Sequence, residues 1–469
     1  MKVTNKFRIT ERSAERGVTM ILVALAMVAI IAMAAMSIDL VTLYLAREEA
    51  QRAADAAALA AARVISASGI TGAGDPSGSN VANWLAVCGS ASGWATQAAA
   101  AAAAQNSVGG LSATTVSVTY SDGSGGPGTN DCSTLSATFT VNPMVTVQVQ
   151  QTSLPSFFSR IWGIAGSNIS ASATAEAFNP SASDANGVAP SGSVTPVQPR
   201  CVKPWIVPNL DPVNPAAPHF VTLLDGTIST PGINPTGASK GAVIGETFNL
   251  VAACANPGSP CSVAGNNPPA ANVGPGQPNL QYLPGAVPAT VAATPSCAIG
   301  GTSYELAVAG CDQTTQYQCG LQSSSVANPN MIDLSENPGG IAGDTATGLA
   351  CSLTGAASLP MSGQDQLRTT SYPFVALAGS ANPVGIGAGT PVTSSNSIVS
   401  LPIYDGAAVN PIGTTNINIV GFLQVFVNLV NPDGSVNVTV LNVAGCGNAA
   451  TNSPVYGSSP VPIRLITPH

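Results

Sequence analysis

The chain has 469 residues, enough for two or three domains with sizeable cores. Only 8% of them are charged, far below the roughly 25% of ordinary soluble domains, while Gly (48) and Pro (37) are abundant. Lys2, Lys6, Arg8, Arg12 and Arg16 precede the first apolar run, whereas beyond Arg63 six Lys/Arg face sixteen Asp/Glu, a cationic content too thin for a nucleic-acid footprint.

The first element is a helix that crosses a membrane. Gly17 to Ile38 carries no charge over 22 residues, and about 20 residues span a hydrocarbon core of about 30 Å. The basic tail, residues 1–16, is expected to stay cytoplasmic, which sends the rest outward into the periplasm or beyond. A cleaved secretory signal is the rival reading, with Ala32 and Ala34 as candidate cleavage-site residues. Its apolar region normally runs only about 7–15 residues, and here the helix pattern does not stop. Residues 39–66 continue without Gly or Pro, with Arg47, Glu48, Arg52 and Asp55 set among alanines. Glu48 and Arg52 stand i,i+4 in the favourable order. The face Ala46, Ala50, Ala53, Ala54, Ala57 and Ala61 permits close packing, either on the protein's own exported part or on another helix.

These residues resemble the N-terminal domain of TadG-like Flp pilus-assembly proteins. Arg16-Gly17 before the apolar run, Asp39 at its end, Tyr44 to Arg47, and the run Gln51, Asp55, Leu59 with its alanines carry the likeness. A second stretch carries it further. Leu154, Pro155, Phe157, Phe158, Arg160 and Gly163 mark a strand, a turn and a short helix. The residues read the same way unaided: Val145, Val147 and Val149 alternate as a strand, Pro155 breaks it, and Ile169 to Ala177 returns. The resemblance implies a membrane-tethered accessory or minor component of the tight-adherence pilus machinery, with the lipid bilayer and the Tad/Flp proteins as partners. It departs at one position: prepilins of that system carry Glu five residues after the processing Gly, and Leu22 stands there. An anchored protein is therefore expected rather than a polymerised subunit.

Residues 67–179 read as an α+β module. After a Gly/Ser-rich break, a helix is expected over Thr96 to Asn106, then a hairpin of Thr114 to Tyr120 with Thr134 to Val141. Residues 180–199 have linker composition. Residues 200–469 read as a mostly β exported domain, with strands at Phe220 to Leu224, Ile398 to Tyr404, Asn416 to Leu429 and Val436 to Val443, and Asn431-Pro432-Asp433-Gly434 as a turn. The fold class is thus membrane-anchored α+β: a long transmembrane helix, a small α+β module and a mostly β domain.

All ten cysteines follow the anchor, which fits disulfides in an oxidising compartment. Cys88 with Cys132, Cys254 with Cys261 and Cys311 with Cys319 are candidate pairs, though spacing alone leaves connectivity open. No C-x-x-C occurs and only His219 and His469 could add imidazole, so neither a metal nor another cofactor is expected. Zincin and G-x-S-x-G signatures are absent. His219 reads as the entry to a strand. Asp333-Leu334-Ser335-Glu336 resembles the opening of a metal-dependent adhesion loop, but Asn337 stands where such a loop needs Ser. Asp225, Asp312, Asp344 and Asp405 lie singly among turns, and Trp205 reads as a core residue. No catalytic set emerges. The expected function is structural or adhesive and not enzymatic; an anchored hydrolase acting on glycan or peptidoglycan, or a pilus-independent adhesin, is the alternative.

Overall fold

The computed structural model describes residues 12–68, 81–113, 115–122, 128–135, 139, 143–156, 158, 160, 163, 166–177, 195–197, 199–214, 218–222, 228–230, 232–234, 241–253, 278–293, 302–315, 317–319, 331–333, 340–356, 359, 361–370, 372, 374–392, 394–405, 416–445, 456–457 and 463–466. Helix α1 (Arg12–Ala67) is continuous over 56 residues, about 84 Å at 1.5 Å per residue. Its described N-terminal part stands almost fully exposed, and from Val18 the helix is long and apolar enough to cross a membrane. From Ala46 onward it enters the body of the protein. Ala46, Ala50, Ala53, Ala54, Ala57, Ala58, Ala61 and Ala62 are buried, three and four residues apart along one face. Small side chains there let the helix axis approach its neighbours closely, and those neighbours belong to the same chain.

They are helix α3 (Trp94–Ala104) and a four-stranded antiparallel sheet. The sheet takes the order β1 (Thr115–Ser121), β2 (Met144–Pro155), β3 (Gly166–Ala177) and β17 (Ile463–Ile466). Val145, Val147 and Val149 of β2 point inward, as their alternation requires. Of the arm expected from Thr134 to Val141, residues 136–138 and 140–141 lie outside the described residues. β1 pairs with β2, placing Val118 opposite Val147, and Cys132–Thr134 is a 3-10 turn held by a disulfide. Helix α2 (Val81–Cys88) was not anticipated. The sheet's last strand comes from the far end of the chain: Arg464 ion-pairs with the buried Glu176 directly opposite on β3, so residues 463–466 belong with the small module rather than the β domain.

The larger body is a closed barrel. β5 (Trp205–Pro208), β6 (Thr247–Ala252), β7 (Asn279–Pro284), β13 (Ile398–Tyr404), β14 (Asn416–Val430) and β15 (Val436–Gly445) pair around a ring in the order β15-β6-β7-β5-β13-β14 and back to β15. Two of the six junctions, β6 with β7 and β5 with β13, are parallel. Closure leaves no open edge among these six strands. β9 (Met331–Asp333) and β16 (Tyr456–Gly457) extend β14 and β15. β4 (Thr195–Val197) pairs with β8 (Tyr317–Cys319). β10 (Gln366–Arg368), β11 (Val375–Leu377) and β12 (Pro391–Val392) form a separate small sheet. Two helices, α4 (Ser303–Ala309) and α5 (Ile341–Thr354), cross at Gly348, where an added Cβ would lie 2.9 Å from Val308 and 3.0 Å from the Glu305 carbonyl. Trp205 fills the core beside Tyr282, with ring centroids 6.1 Å apart.

The small module and barrel touch. The N–H of Gly232 donates to the Ser68 carbonyl just past the end of α1, and Trp94 packs on Tyr372 with centroids 5.5 Å apart.

Candidate functional site at the root of the anchor

Where α1 leaves its exposed stretch and meets the sheet, polar side chains at three levels tie it down. Asp39 is buried, and its carboxylate accepts the backbone N–H of Phe158, at 3.0 Å to Oδ2 and 3.3 Å to Oδ1. An acidic side chain at that point catches an orphan N–H in the turn between β2 and β3. Nearly three turns further on, Glu49 Oε2 accepts the N–H of Gly109 at 2.7 Å. Gln51 Nε2 donates to Asp55 Oδ1 at 2.8 Å and reaches the Ser172 carbonyl of β3 at 3.2 Å. Leu59 is partly buried against the core. Of the signature residues, Asp39, Gln51 and Leu59 contact the module, while Asp55 holds the Gln51 amide from within the helix. Arg16 and Gly17 lie in α1, with side chains outside the described residues. Tyr44 is exposed. Glu49 carries one of these ties, yet sequence offered no signal for it, because its partner is an ordinary backbone amide in a loop 60 residues away.

Tyr44 belongs to a groove of about 850 Å3 formed by Leu40, Val41, Leu43, Tyr44, Leu45 and Arg47 on the helix and Ser167 to Ser170 on β3. It lies directly beyond the apolar span.

The cysteines sort as follows. Cys88 and Cys132 are bonded, with Cα atoms 5.6 Å apart, joining α2 to the 3-10 turn. Cys311 bonds Cys201, Cα atoms 4.9 Å apart, and not Cys319 as its short spacing suggested. The reason is the backbone ladder: Val202 and Asp312 exchange N–H···O bonds and bring the neighbouring cysteines side by side. Cys319 lies in β8, with its side chain outside the described residues, as are Cys254 and Cys261 entirely. Cys351 is also disulfide-bonded.

The barrel body holds four buried ionisable side chains of note. Lys203 donates to the Val308 and Gly310 carbonyls at the end of α4, and burial lowers its pKa to about 7. Asp312 Oδ1 accepts from Thr290 Oγ1 and from the Thr314 and Thr315 N–H groups. Asp211 and Glu246 form a buried carboxyl pair in which neither Glu246 carboxyl oxygen nor Asp211 Oδ2 has a hydrogen-bond partner among the described residues; burial first, then the charge of Asp211, pushes Glu246 up to about 9. The two are 3% and 1% exposed, so no chain of sugar could lie between them as a glycosidase pair requires. His219 Nδ1 meets the Asn209 carbonyl at 2.7 Å, and Asp344 accepts from Thr302 Oγ1 at 2.8 Å, both local structural contacts. Asp405 sits just past β13, while Asp225, Ser335, Glu336 and Asn337 lie outside the described residues and Asp333 closes β9. Among the described residues, no group of three or more His, Cys, Asp or Glu is placed to hold a metal.

A long apolar helix whose second half is built into an α+β module by its own acidic and amide side chains defines a membrane-anchored protein. Residues 17–64 match the family described as Flp pilus-assembly TadE/G-like, and residues 82–175 match the Tad-like Flp pilus-assembly domain that completes the module. Over these two stretches the chain is similar to TadG-like Flp pilus-assembly proteins, which relates it to pilus assembly. No curated protein and no solved structure matches it.

Proposed function

We propose that the protein is a membrane-anchored accessory or minor component of a Flp/Tad-type pilus system, structural or adhesive and not catalytic. Its N-terminal tail lies in the cytoplasm and its body on the outer side of the inner membrane. The observation that carries this reading is the use made of Asp39, Glu49 and Gln51, all committed to holding the module on the helix. Such a joint sets the β body at a fixed height above the bilayer, which suits a tether or docking post for neighbouring pilus proteins. Asymmetry of the flanking charge supports the orientation, since the basic residues precede the span. Leu22 in place of Glu supports an anchor that is not drawn into a filament core. Deletion followed by electron microscopy of filaments and a surface-attachment assay tests the reading. Fewer filaments or weaker attachment are expected, and normal numbers of both would sink it.

A further inference from the structure

The groove between α1 and β3 has two unlike walls and a definite position. One wall is apolar and bare: Leu40, Val41, Tyr44 and Leu45 are 68%, 56%, 64% and 56% exposed. A soluble surface rarely leaves four large side chains so open within two turns. The other wall is the start of β3, where Ser167, Asn168 and Ser170 present hydroxyl and amide groups. Arg47 closes the groove at its outer end, exposed and with no ion pair among the described residues. Glu48 follows it on the helix but does not line the groove. The carboxylate nearest the apolar end, Asp39, is already engaged by the Phe158 N–H and turned inward.

Height decides what such a groove meets. The uncharged span ends at Ile38, and the headgroup layer on each side of the bilayer is about 5–8 Å thick. Residues 40 to 47 rise about 3–14 Å beyond the span at 1.5 Å per residue. The apolar wall therefore begins at the acyl boundary. Tyr44, about 9 Å up, sits at the outer edge of the headgroup layer where tyrosines gather. Arg47, about 14 Å up, lies above that layer with its long side chain leaning back down the helix toward the phosphates. Apolar below, hydroxylated at the side and cationic above is the polarity of a phospholipid turned on end.

We propose that this groove seats one anionic phospholipid of the surrounding leaflet, with its acyl chains along Leu40 and Val41, its phosphate on Arg47 and its headgroup hydroxyls against Asn168 and Ser170. Arginine suits the phosphate because its planar fork offers two parallel donors. The seat rests on the anchored reading of α1 and adds a ligand to it. Because the groove is continuous with the lipid-facing surface of the helix, lipid reaches it without leaving the bilayer. A lipid held there would also brace β3 against α1 beside the Asp39 tie.

The full-length protein is reconstituted in vesicles of equal phosphatidylglycerol and phosphatidylcholine, released into mild detergent, and weighed intact by native mass spectrometry. A retained phosphatidylglycerol adduct is expected, enriched about fivefold over phosphatidylcholine, the factor that one favourably placed arginine supplies. Arg47→Gln should abolish the preference, Arg47→Lys should restore part of it, and Arg52→Gln, outside the groove, should leave it intact. Equal retention of both lipids, no adduct, or an unchanged preference in Arg47→Gln would overturn the proposal. So would a photo-crosslinker at Tyr44 that captures a protein in native membranes instead of lipid. Flotation of the same variants with vesicles reports the anchor separately, since α1 holds the chain at the membrane whether or not Arg47 binds.

Discussion

Glu49 and Gly109 are 60 residues apart in sequence and 2.7 Å apart in space, carboxylate oxygen to backbone N–H. Gly109 has φ of +60°, and a Cβ there would fall 2.4 Å from Leu154 Cδ2 and 3.8 Å from Ala46 Cβ. The loop after α3 thus lies between the helix and β2, and its left-handed backbone is what favours glycine, since the Leu154 tip can turn aside. Gly109→Ala should destabilise the module by about 1–3 kcal/mol, the cost of a left-handed non-glycine residue. Glu49→Ala should cost roughly 1 kcal/mol and Glu49→Gln less, because the amide keeps an acceptor oxygen. Thermal unfolding of the three variants in detergent checks the order.

Asp39→Ala removes the acceptor for Phe158 N–H without touching the strands. The expected effect is local: about 1–3 kcal/mol from an unsatisfied N–H, shown as faster hydrogen exchange at Phe158 while β2 and β3 stay protected. Global loss of protection in the sheet would contradict a local role for the Asp39–Phe158 contact.

Much of this joint could be read from the residues in advance, and the part that could not has a physical reason. The transmembrane run, the alternation of Val145, Val147 and Val149, and the alanine face are periodic signals, and they survive into the structure unchanged. What the alanine face packs against was open in sequence, since small residues fit a partner helix and an internal sheet alike. Contacts that join distant segments leave no local trace. Asp39 with Phe158, Cys201 with Cys311 and the return of Ile463–Ile466 to β3 are set by topology. Helix α5 was missed because IAGDTATGLACSLT is buried nearly all round and shows no polar stripe. Barrel closure was likewise hidden, since it depends on how β14 and β15 meet both each other and the strands before them.

The carboxyl pair makes stability fall with rising pH. Glu246 is raised from 4.5 to about 9, so between those values the folded protein holds a proton that the unfolded chain has released. Stability then falls as pH rises across that window, and Asp211, also raised by burial, has the same sign. Lys203 is lowered from 10.5 to about 7, and works the other way between 7 and 10.5, where only the unfolded chain binds the proton. The two slopes oppose each other from 7 to 9, which leaves the decline concentrated between about pH 4.5 and 7. Glu246→Gln should flatten that limb and raise the melting temperature at pH 7. A steep decline persisting in the variant would exclude Glu246 as its source.

Cys88–Cys132 closes a loop of 44 residues around the edge of the small module. In the chain-entropy account a loop of that length contributes about 4 kcal/mol through the unfolded state. Its sulfurs lie in the buried cluster of Trp84, Tyr120 and Phe139, with Trp84 and Phe139 centroids 5.5 Å apart. Reduction would therefore free two thiols among aromatic rings that still pack, so the module should loosen before it loses its sheet. A Cys88→Ala, Cys132→Ala double variant should melt well below the parent in oxidising buffer and show little further change on adding reductant at that bond. The barrel keeps its own Cys201–Cys311 bond, so its unfolding should move through contacts that join the two bodies, Ser68–Gly232 and Trp94–Tyr372 among them. A barrel transition lowered as far as the module's would mean that the two unfold as one unit.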